Sequence, residues 1–180
     1  MNEIDENFFD EMSESTMPWM IGAVITKSSN KINLCPVTFQ TISSRFEKPF
    51  SICIGLTNDN YTLETVLKTK EFTYAYPSKE QLKDVLYCGT VSGRDRDKLK
   101  NTDFQFSDSQ HITLPQLKDA VANYECIVIH THKLDIFTIV IGEIINGVVS
   151  KRDKLDKIYA LGEEGYGIIK SIKALEEKRF

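Results

Sequence analysis

The chain has 180 residues, of which 41% are hydrophobic and 27% are charged, and its formal net charge at pH 7 is −4. This length and composition are those of one ordinary globular domain, and the negative charge argues against a protein that mainly coats nucleic acid or an anionic membrane. No apolar run approaches the roughly 20 residues of a membrane helix, and the acidic N-terminus differs from a secretory signal, so we expect a cytoplasmic protein without a membrane partner.

The first third of the chain contains an N-terminal arm followed by extended segments. Apolar residues recur at helical spacing among acidic ones in residues 1–16, which predicts an amphipathic acidic arm that ends before Pro18. Runs of β-prone residues then follow at 19–26, 32–41 and 50–56. Polar turn residues separate these runs, as expected for strands joined by short loops.

The middle of the chain carries the predicted helices. A polar turn at 57–60 precedes a short amphipathic helix, and a short strand follows at 72–76. Ser78 is in position to cap a second helix, which the sequence predicts to end at Gly89. The charged stretch after it predicts a loop with one helical turn.

The last third contains two long β-type runs, at 124–131 and 137–149, joined by a short connection. The C-terminal tail predicts a short helix, a glycine-rich turn and a final charged helix. Six strands with only short helices between them do not alternate as βαβ units do. The sequence therefore predicts a mainly β, Greek-key-like antiparallel barrel with peripheral helices, formed by one domain over 17–180 with a helical tail.

Neither of the two commonest phosphate-binding motifs is present, because no GxGxxG or GxxxxGK[ST] pattern occurs. A nucleotide would have to be held in another way. The strand around Pro36 is one candidate, because a proline interrupts the ladder and leaves backbone groups free to contact a flat heterocycle. The candidate residues of this strand are Asn33, Pro36, Val37, Thr38 and Phe39. An ordinary edge strand with a β-bulge is the alternative explanation.

Two further segments have residues that suit an anion. Thr57, Tyr61 and Thr62 stand between a strand end and a helix start, where helix N–H groups are unpaired. Simple helix capping is the alternative here. In the charged loop, Gly93 permits a tight turn while Ser92, Arg94 and Lys98 offer a hydroxyl and two cations for a phosphate. A solvated surface turn is the alternative for this loop.

Other chemistries have little support in the sequence. His130 and His132 share one face of a strand, but no cysteine or carboxylate nearby completes a ligand pattern, so we expect no metal site. No serine or cysteine stands in a nucleophile motif. The four cysteines form no CxxC pair, which predicts free thiols.

Taken in order, several motifs resemble the flavin reductase-like family, and its flavoredoxin branch in particular. They include MPWMIGAVIT, the N-x-x-P-V-T-F strand, YECIVIH and IVIGEI. The most specific pair is YTxExVxxxxEF followed by GxxSGRxxDK. The resemblance covers about Pro18 to Gly147 and departs from the family at two points. Phe137 stands where many relatives carry a histidine, and Lys48-Pro49 stands where many have Pro-Pro.

The resemblance implies a homodimeric, FMN-binding split barrel that acts as an oxidoreductase of the flavin reductase type. Val37 and Thr38 would contact the flavin ring, and a larger set would approach the ribityl phosphate: Thr62, Ser92, Arg94 and Lys98. The electron donor would be NAD(P)H, delivering hydride to the flavin, or a redox protein. A flavin-binding electron carrier or flavin store is the alternative function, and a related barrel that binds heme or pyridoxal phosphate, or has lost its ligand, is a third.

Overall fold

A computed structural model of the chain describes residues 8–29, 31–43, 48–151, 156–162 and 165–168. The α-helices are α1 (Phe8–Thr16), α2 (Tyr61–Thr69) and α3 (Leu82–Thr90). The strands of the first half are β1 (Trp19–Met20), β2 (Gly22–Ser28), β3 (Lys31–Val37), β4 (Gln40–Ser43), β5 (Phe50–Thr57) and β6 (Glu71–Tyr76). Those of the second half are β7 (Phe106–Ser107), β8 (Gln116–Leu117), β9 (Ala122–Lys133), β10 (Phe137–Val149), β11 (Tyr159–Ala160) and β12 (Tyr166–Gly167).

Seven antiparallel strands form one sheet in the order β3-β2-β6-β9-β10-β5-β4. Its two edge strands, β3 and β4, are consecutive in sequence and are separated only by Thr38 and Phe39. One extended segment therefore supplies both edges, so the sheet curls round on itself. The carbonyl oxygen of Phe39 accepts a hydrogen bond from Gly55 N of β5 at 3.1 Å, and β3 contacts β5. The predicted mainly β antiparallel barrel with peripheral helices is confirmed.

The sheet is buried on both faces near β2, which explains the continuous apolar run in that strand. Val24 faces the barrel interior, where it packs in a cluster with Ile54, Phe72 and other apolar side chains. Its neighbours Ala23 and Ile25 face the other side, in a cluster with Val85 and Cys88 of α3. Alternate side chains of a strand point to opposite faces, so both faces need an apolar residue here. Full burial of each large side chain contributes about 1.5–3 kcal/mol.

The predicted helices form close to where the sequence places them. Asn60 is the N-cap of α2, and its side chain accepts a hydrogen bond from Thr62 N at 2.8 Å. A short 3-10 turn, Lys79–Gln81, precedes α3. α3 continues past the predicted end at Gly89 and stops at Thr90, where Val91 takes up an extended conformation. Gly89 therefore lies within the helix and is not its left-handed cap.

The N-terminal arm is helical where it is described, and α1 ends before Pro18 as predicted. Residues 1–7 of the arm lie outside the described residues. The predicted strand at 19–26 is interrupted at Ile21, because Trp19 and Met20 pair with β11 in a separate small sheet. None of the helices in the part of the chain that is described has the length and apolarity needed to cross a membrane.

The C-terminal tail differs from the prediction. The prediction of a short helix is wrong at Tyr159–Ala160. These residues form β11, which pairs with β12 as a small hairpin. The turn of this hairpin uses Gly162 and Gly165, whose φ angles of 70° and 88° lie in the left-handed region that favours glycine. Two positive-φ glycines therefore favour a reversal of the chain over continuation of a helix. The predicted final helix falls on 169–180, outside the described residues.

Candidate functional site

Three separated segments meet around one cavity of about 380 Å³. They are β3, the turn from β5 into α2, and the chain that leaves α3. Seven of the twelve predicted site residues line this cavity, here called the polar cavity: Pro36, Thr57, Tyr61, Thr62, Ser92, Gly93 and Lys98. The barrel brings them together, because its closure places β3 beside β5.

The N-terminus of α2 forms one wall of the polar cavity. Its first N–H groups have no partner within the helix and carry the positive end of the helix dipole. The side chain of Asn60 accepts a hydrogen bond from one of these groups, Thr62 N. The helix cap offered as the alternative explanation is therefore present, in addition to any role toward a ligand. Tyr61 and Thr62 both line the cavity at this helix end. This wall suits an anion.

Asn33 lies beneath the cavity rather than on its surface and is only 2% exposed. Its Nδ2 donates hydrogen bonds to Thr62 Oγ1 at 2.9 Å and to Thr26 Oγ1 at 3.4 Å. Its Oδ1 is buried and has no hydrogen-bond partner among the described residues. Asn33 therefore ties β3 to the start of α2 and fixes the hydroxyl of Thr62.

Gly93 packs directly against Asn33, so this loop requires a residue without a Cβ. A Cβ at position 93 would lie 2.2 Å from Asn33 Oδ1 and 2.8 Å from Tyr61 Cδ1. Both distances are far below van der Waals contact. The carbonyl oxygen of Gly93 also accepts a hydrogen bond from Lys31 Nζ, which holds the loop to β3.

We expect Gly93→Ala to lower the free energy of unfolding by about 1–3 kcal/mol, because the added methyl displaces Asn33 and Tyr61. Urea unfolding followed by circular dichroism measures this change. Asp95→Ala is the matched control, because Asp95 is exposed in the same loop. Equal stability of the two variants would show that the loop has room for a side chain.

Lys98 is buried at 4% exposure, although the sequence placed it on a charged loop. Its Nζ donates hydrogen bonds to the carbonyl oxygens of Leu34 at 3.1 Å and Cys88 at 2.7 Å. An ammonium has three donors, so one remains after these two bonds. Burial lowers the pKa of Lys98, and no carboxylate of the described residues forms an ion pair with it. The polar cavity therefore contains a buried cation that forms no ion pair with the described part of the chain.

Arg94 differs from Lys98 in its surroundings and does not line the polar cavity. Its Nη2 lies 3.0 Å from Glu64 Oε2, and both side chains are more than half exposed. Its guanidinium lies 5.9 Å from the centre of the Tyr61 ring. A surface ion pair of this kind contributes little energy, so Glu64 competes only weakly with another anion for Arg94.

The remaining predicted residues face two neighbouring cavities. Val37 and Thr38 line a more apolar cavity of about 520 Å³, which shares Pro36, Gly89 and Thr90 with the polar cavity. Phe39 lines a third cavity of about 320 Å³ with Trp19, Thr38 and Gln40. Thr38 therefore lies where the second and third cavities adjoin. The three cavities follow the chain from Cys35 at the end of β3 to Gln40 at the start of β4.

The end of α3 contributes residues that the sequence analysis missed. Cys88, Gly89, Thr90 and Val91 all line the polar cavity. The sequence predicted that α3 ends at Gly89, close to the candidate loop at 92–98. A helix end beside that loop was the signal that could have identified these residues. Within the described ranges, no group of three or more histidine, cysteine or acidic side chains is arranged to hold a metal ion.

The sequence matches a known domain family along most of its length. A sequence model of the family described as "Flavin reductase like domain" matches residues 12–167. An uncharacterised protein from Archaeoglobus fulgidus is 30% identical over 98 residues, which are 54% of this chain. The matched region spans only 55% of the length of that relative.

Solved structures share the fold. A flavoredoxin from Methanosarcina acetivorans superposes with a TM-score of 0.76 at 22% identity, covering 88% of this chain and 90% of the other. An FMN-binding protein from Thermus thermophilus, solved with bound p-hydroxybenzaldehyde, gives 0.76 at 20% identity, covering 87% and 89%. At this identity the likeness establishes the fold, and the barrel is that of the flavin-binding split barrels.

Proposed function

Because the chain belongs to the flavin reductase-like family, we propose that it is an oxidoreductase that binds FMN in the polar cavity and exchanges electrons through it. The family supports a flavin-dependent redox role, as the resemblance in the sequence implied. FMN, rather than flavin in general, is the finer part of the proposal. We place the protein in the cytoplasm, where its four free cysteines would remain reduced.

The observation that carries the proposal is the buried ammonium of Lys98. Removing a charge from water costs several kcal/mol unless an opposite charge or hydrogen bonds compensate it. Two carbonyl oxygens compensate Lys98 in part, and the N-terminus of α2 lies at the same cavity. A phosphate dianion would pair with Lys98 and accept hydrogen bonds from the free N–H groups of α2. These residues therefore fit the phosphate of FMN.

The flavin ring would extend from the polar cavity along β3. Pro36 lines both the polar and the apolar cavity, and Val37 and Thr38 continue the second of them. The apolar residues would exclude water from one ring face, while Thr38 would offer a hydroxyl to the polar ring edge. When bound, FMN supplies the hydride and electron-transfer chemistry, and the protein supplies position, polarity and access.

We also propose that the protein is a homodimer. The large apolar residues Ile129, Ile136 and Val149 are each more than half exposed, and all lie on or beside β9 and β10. These residues are spread along the β9–β10 hairpin from its turn to its far end, so a covering partner would pack along the length of the hairpin. Sedimentation velocity of the purified protein measures the assembly state, and a monomer with tightly bound FMN would contradict this part of the proposal.

The proposal predicts that FMN binds about 100-fold more tightly than riboflavin, because Lys98 and α2 contact only the phosphate. Two charge-assisted hydrogen bonds of ~1.5–3 kcal/mol each account for that ratio or a larger one. Titration of the flavin-free protein, followed by quenching of flavin fluorescence, measures both affinities. Equal affinities for the two flavins would contradict the placement of the FMN phosphate in the polar cavity.

An electron carrier is the second candidate, and one observation favours it. Phe137 occupies the position of the histidine common in relatives, and its ring packs edge-on against Phe39 with centroids 5.4 Å apart. An apolar ring there provides no proton donor or hydrogen bond for a nicotinamide. Anaerobic mixing of FMN-loaded protein with NADH and NADPH decides between the two candidates. Prompt bleaching identifies a reductase, whereas bleaching by dithionite alone identifies a carrier.

A further inference from the structure

Asn33 lies beneath the polar cavity and is hydrogen-bonded to Thr62, which lines it. The sequence made Asn33 a candidate for direct contact with a ligand, but the residue is 2% exposed and does not line the cavity. Its Nδ2 donates hydrogen bonds to Thr62 Oγ1 at 2.9 Å and to Thr26 Oγ1 at 3.4 Å. Asn33 can therefore affect a bound ligand only indirectly, and Thr62 is the lining residue to which it is bonded.

The amide of Asn33 is held in this orientation at both of its ends. Nδ2 carries two N–H donors, and the hydroxyls of Thr26 and Thr62 are two acceptors for them. At the other end of the amide, Gly93 packs so closely that a Cβ there would lie 2.2 Å from Asn33 Oδ1. Lys31, two residues earlier on the same face of β3, donates a hydrogen bond to the carbonyl oxygen of Gly93 and keeps that loop in place. The amide therefore has little room to turn.

The bond from Asn33 sets the direction in which the Thr62 hydroxyl donates. A hydroxyl has one hydrogen to donate and two lone pairs with which to accept. An amide nitrogen only donates, so Thr62 Oγ1 accepts from Asn33 and its own hydrogen points elsewhere. No described residue accepts that hydrogen, and Thr62 is only 1% exposed, so little water competes for it. The Thr62 hydroxyl is therefore a hydrogen-bond donor that the described part of the chain leaves unused.

The hydroxyl is also the donor through which Thr62 meets a ligand, because its backbone N–H already donates to Asn60 Oδ1 at 2.8 Å. Lys98 lines the same cavity and likewise has one donor left after its bonds to two carbonyl oxygens. Two unused donors in one cavity suit a group that carries negative charge and accepts hydrogen bonds. A charged acceptor forms hydrogen bonds roughly twice as strong as those of a neutral one.

We propose that Asn33 is a positioning residue that makes Thr62 a donor toward the polar cavity, and that the cavity for this reason prefers a flavin ending in phosphate to one ending in a hydroxyl. This inference rests on the proposed function, because it concerns the phosphate of FMN. Phosphate oxygens are charged acceptors, whereas the terminal hydroxyl of riboflavin is a neutral group. Thr62 discriminates between the two, and Asn33 acts through Thr62 without touching the ligand.

The quantity that tests this inference is the ratio of FMN affinity to riboflavin affinity, from fluorescence titrations of the flavin-free protein. Thr62→Val keeps the shape of the side chain but removes the hydroxyl. We expect it to lower the ratio by about 10-fold or more, the equivalent of one hydrogen bond to a charged group. Thr62→Ser keeps a hydroxyl that accepts from Asn33 and should retain most of the ratio.

Asn33→Leu keeps a side chain of similar size but lacks Nδ2, so the Thr62 hydroxyl is free to turn its hydrogen away from the ligand. We expect the affinity ratio to fall by about 3- to 10-fold, the equivalent of one neutral hydrogen bond. Asn33→Ser, which also lacks the amide, is measured in the same way in case leucine disturbs folding. Combined with Thr62→Val, Asn33→Leu should lower the ratio no further, to within about twofold, because no hydroxyl then remains to be positioned.

Asn123→Leu is the matched control, because Asn123 is also a buried asparagine, whose side chain bonds to the backbone of Leu117 at 2.9 Å. It does not line the cavities assigned to the flavin. We expect this variant to have a lower melting temperature and an unchanged affinity ratio. A purely structural role for Asn33 would give its variants the same behaviour.

The outcomes separate this inference from the proposed function. A large ratio in the original protein that Asn33→Leu and Asn33→Ser leave unchanged overturns the inference alone. The same follows if Asn33→Leu lowers the ratio as much in the Thr62→Val protein as in the original, because Asn33 then acts without Thr62. A ratio near one in the original protein overturns the placement of the phosphate in the polar cavity, and the inference with it.

Discussion

Replacing Lys98 with methionine is expected to weaken FMN binding by about 10- to 100-fold, because a charge-assisted hydrogen bond contributes ~1.5–3 kcal/mol. Methionine keeps an unbranched apolar stem of similar length, so the buried space around it stays filled. The expected loss is confined to the phosphate. Riboflavin affinity, measured by the same fluorescence titration, should therefore change much less than FMN affinity.

Lys100→Met is the matched control for this variant. Lys100 belongs to the same 3-10 turn as Lys98 but is exposed and does not line the polar cavity. We expect its FMN affinity to stay within about twofold of the original, as is usual for a surface substitution. Arg94→Ala should have an intermediate effect, because Arg94 is exposed and already paired with Glu64. A Lys98 variant that binds FMN as the Lys100 variant does would contradict the phosphate site.

Thermal unfolding separates a binding defect from a folding defect in the Lys98 variant. Methionine leaves the carbonyl oxygens of Leu34 and Cys88 without their donor, which destabilises the fold, but it also removes a buried charge. A ligand that binds only the folded state stabilises it by RT ln(1 + [L]/Kd), so at equal ligand concentration the tighter complex has the larger rise in melting temperature. We therefore expect excess FMN to raise the melting temperature of the original protein more than that of the variant, whatever their starting values.

Replacing Glu125 with leucine is expected to lower the free energy of unfolding by about 1–3 kcal/mol, the cost of leaving a buried hydrogen-bonding group without its partner. Glu125 has no exposed surface. Its carboxylate accepts hydrogen bonds from four groups at 2.7–3.0 Å: Gln110 N, His111 N, Gln116 Nε2 and Asn146 Nδ2. Leucine would leave all four donors without this acceptor, and the Gln116 amide among them is buried. Chemical denaturation at pH 7 measures the difference.

The effect of Glu125 should depend on pH in a defined direction. Burial by itself raises the pKa of Glu125, but the four hydrogen bonds lower it by more, so its pKa lies below the ordinary value. A carboxyl group with a lowered folded-state pKa contributes stability above its unfolded pKa of about 4.3, and this contribution is lost as pH falls through the folded-state pKa. The stability difference between the original protein and Glu125→Gln should therefore narrow below about pH 4.

Glu80→Gln is the control for the Glu125 variants, because Glu80 is exposed. It should change stability by less than about 0.5 kcal/mol at pH 7, as surface substitutions usually do. A Glu125→Leu variant as stable as Glu80→Gln would show that the four donors find other partners. FMN affinity should be unaffected by either change when the protein is folded, because neither residue lines a predicted flavin cavity.

The local pattern of residue types was sufficient to predict most of the strands and helices. Runs of β-prone residues predicted the strands at 50–56 and 137–149 to within a residue, and Asn60 falls in the polar turn predicted to cap α2. The pattern failed at Ile21 and at 159–160, where pairing between distant segments decides the structure. Two residues of strand are too short to be distinguished from a helix turn by periodicity.

The candidate site was predictable in part. Pro36, Thr62 and Gly93 have a conformational or hydrogen-bonding property that can be recognised one residue at a time, and all three line the polar cavity. Burial is not such a property, because it depends on what packs above a residue. Lys98 and Arg94 are four positions apart in one charged loop, yet the first is buried and the second exposed.

The sequence alone determined the longer strands, the helix starts and most of the turn residues, because these follow from interactions between neighbours along the chain. The sequence also indicated the family, because the order of its motifs along the chain can be recognised without knowledge of tertiary contacts. Only the tertiary structure decided that three of these motifs share one cavity and that Lys98, although buried there, forms no ion pair with any described residue. Such contacts join residues tens of positions apart, and closure of the sheet between β3 and β4 creates them.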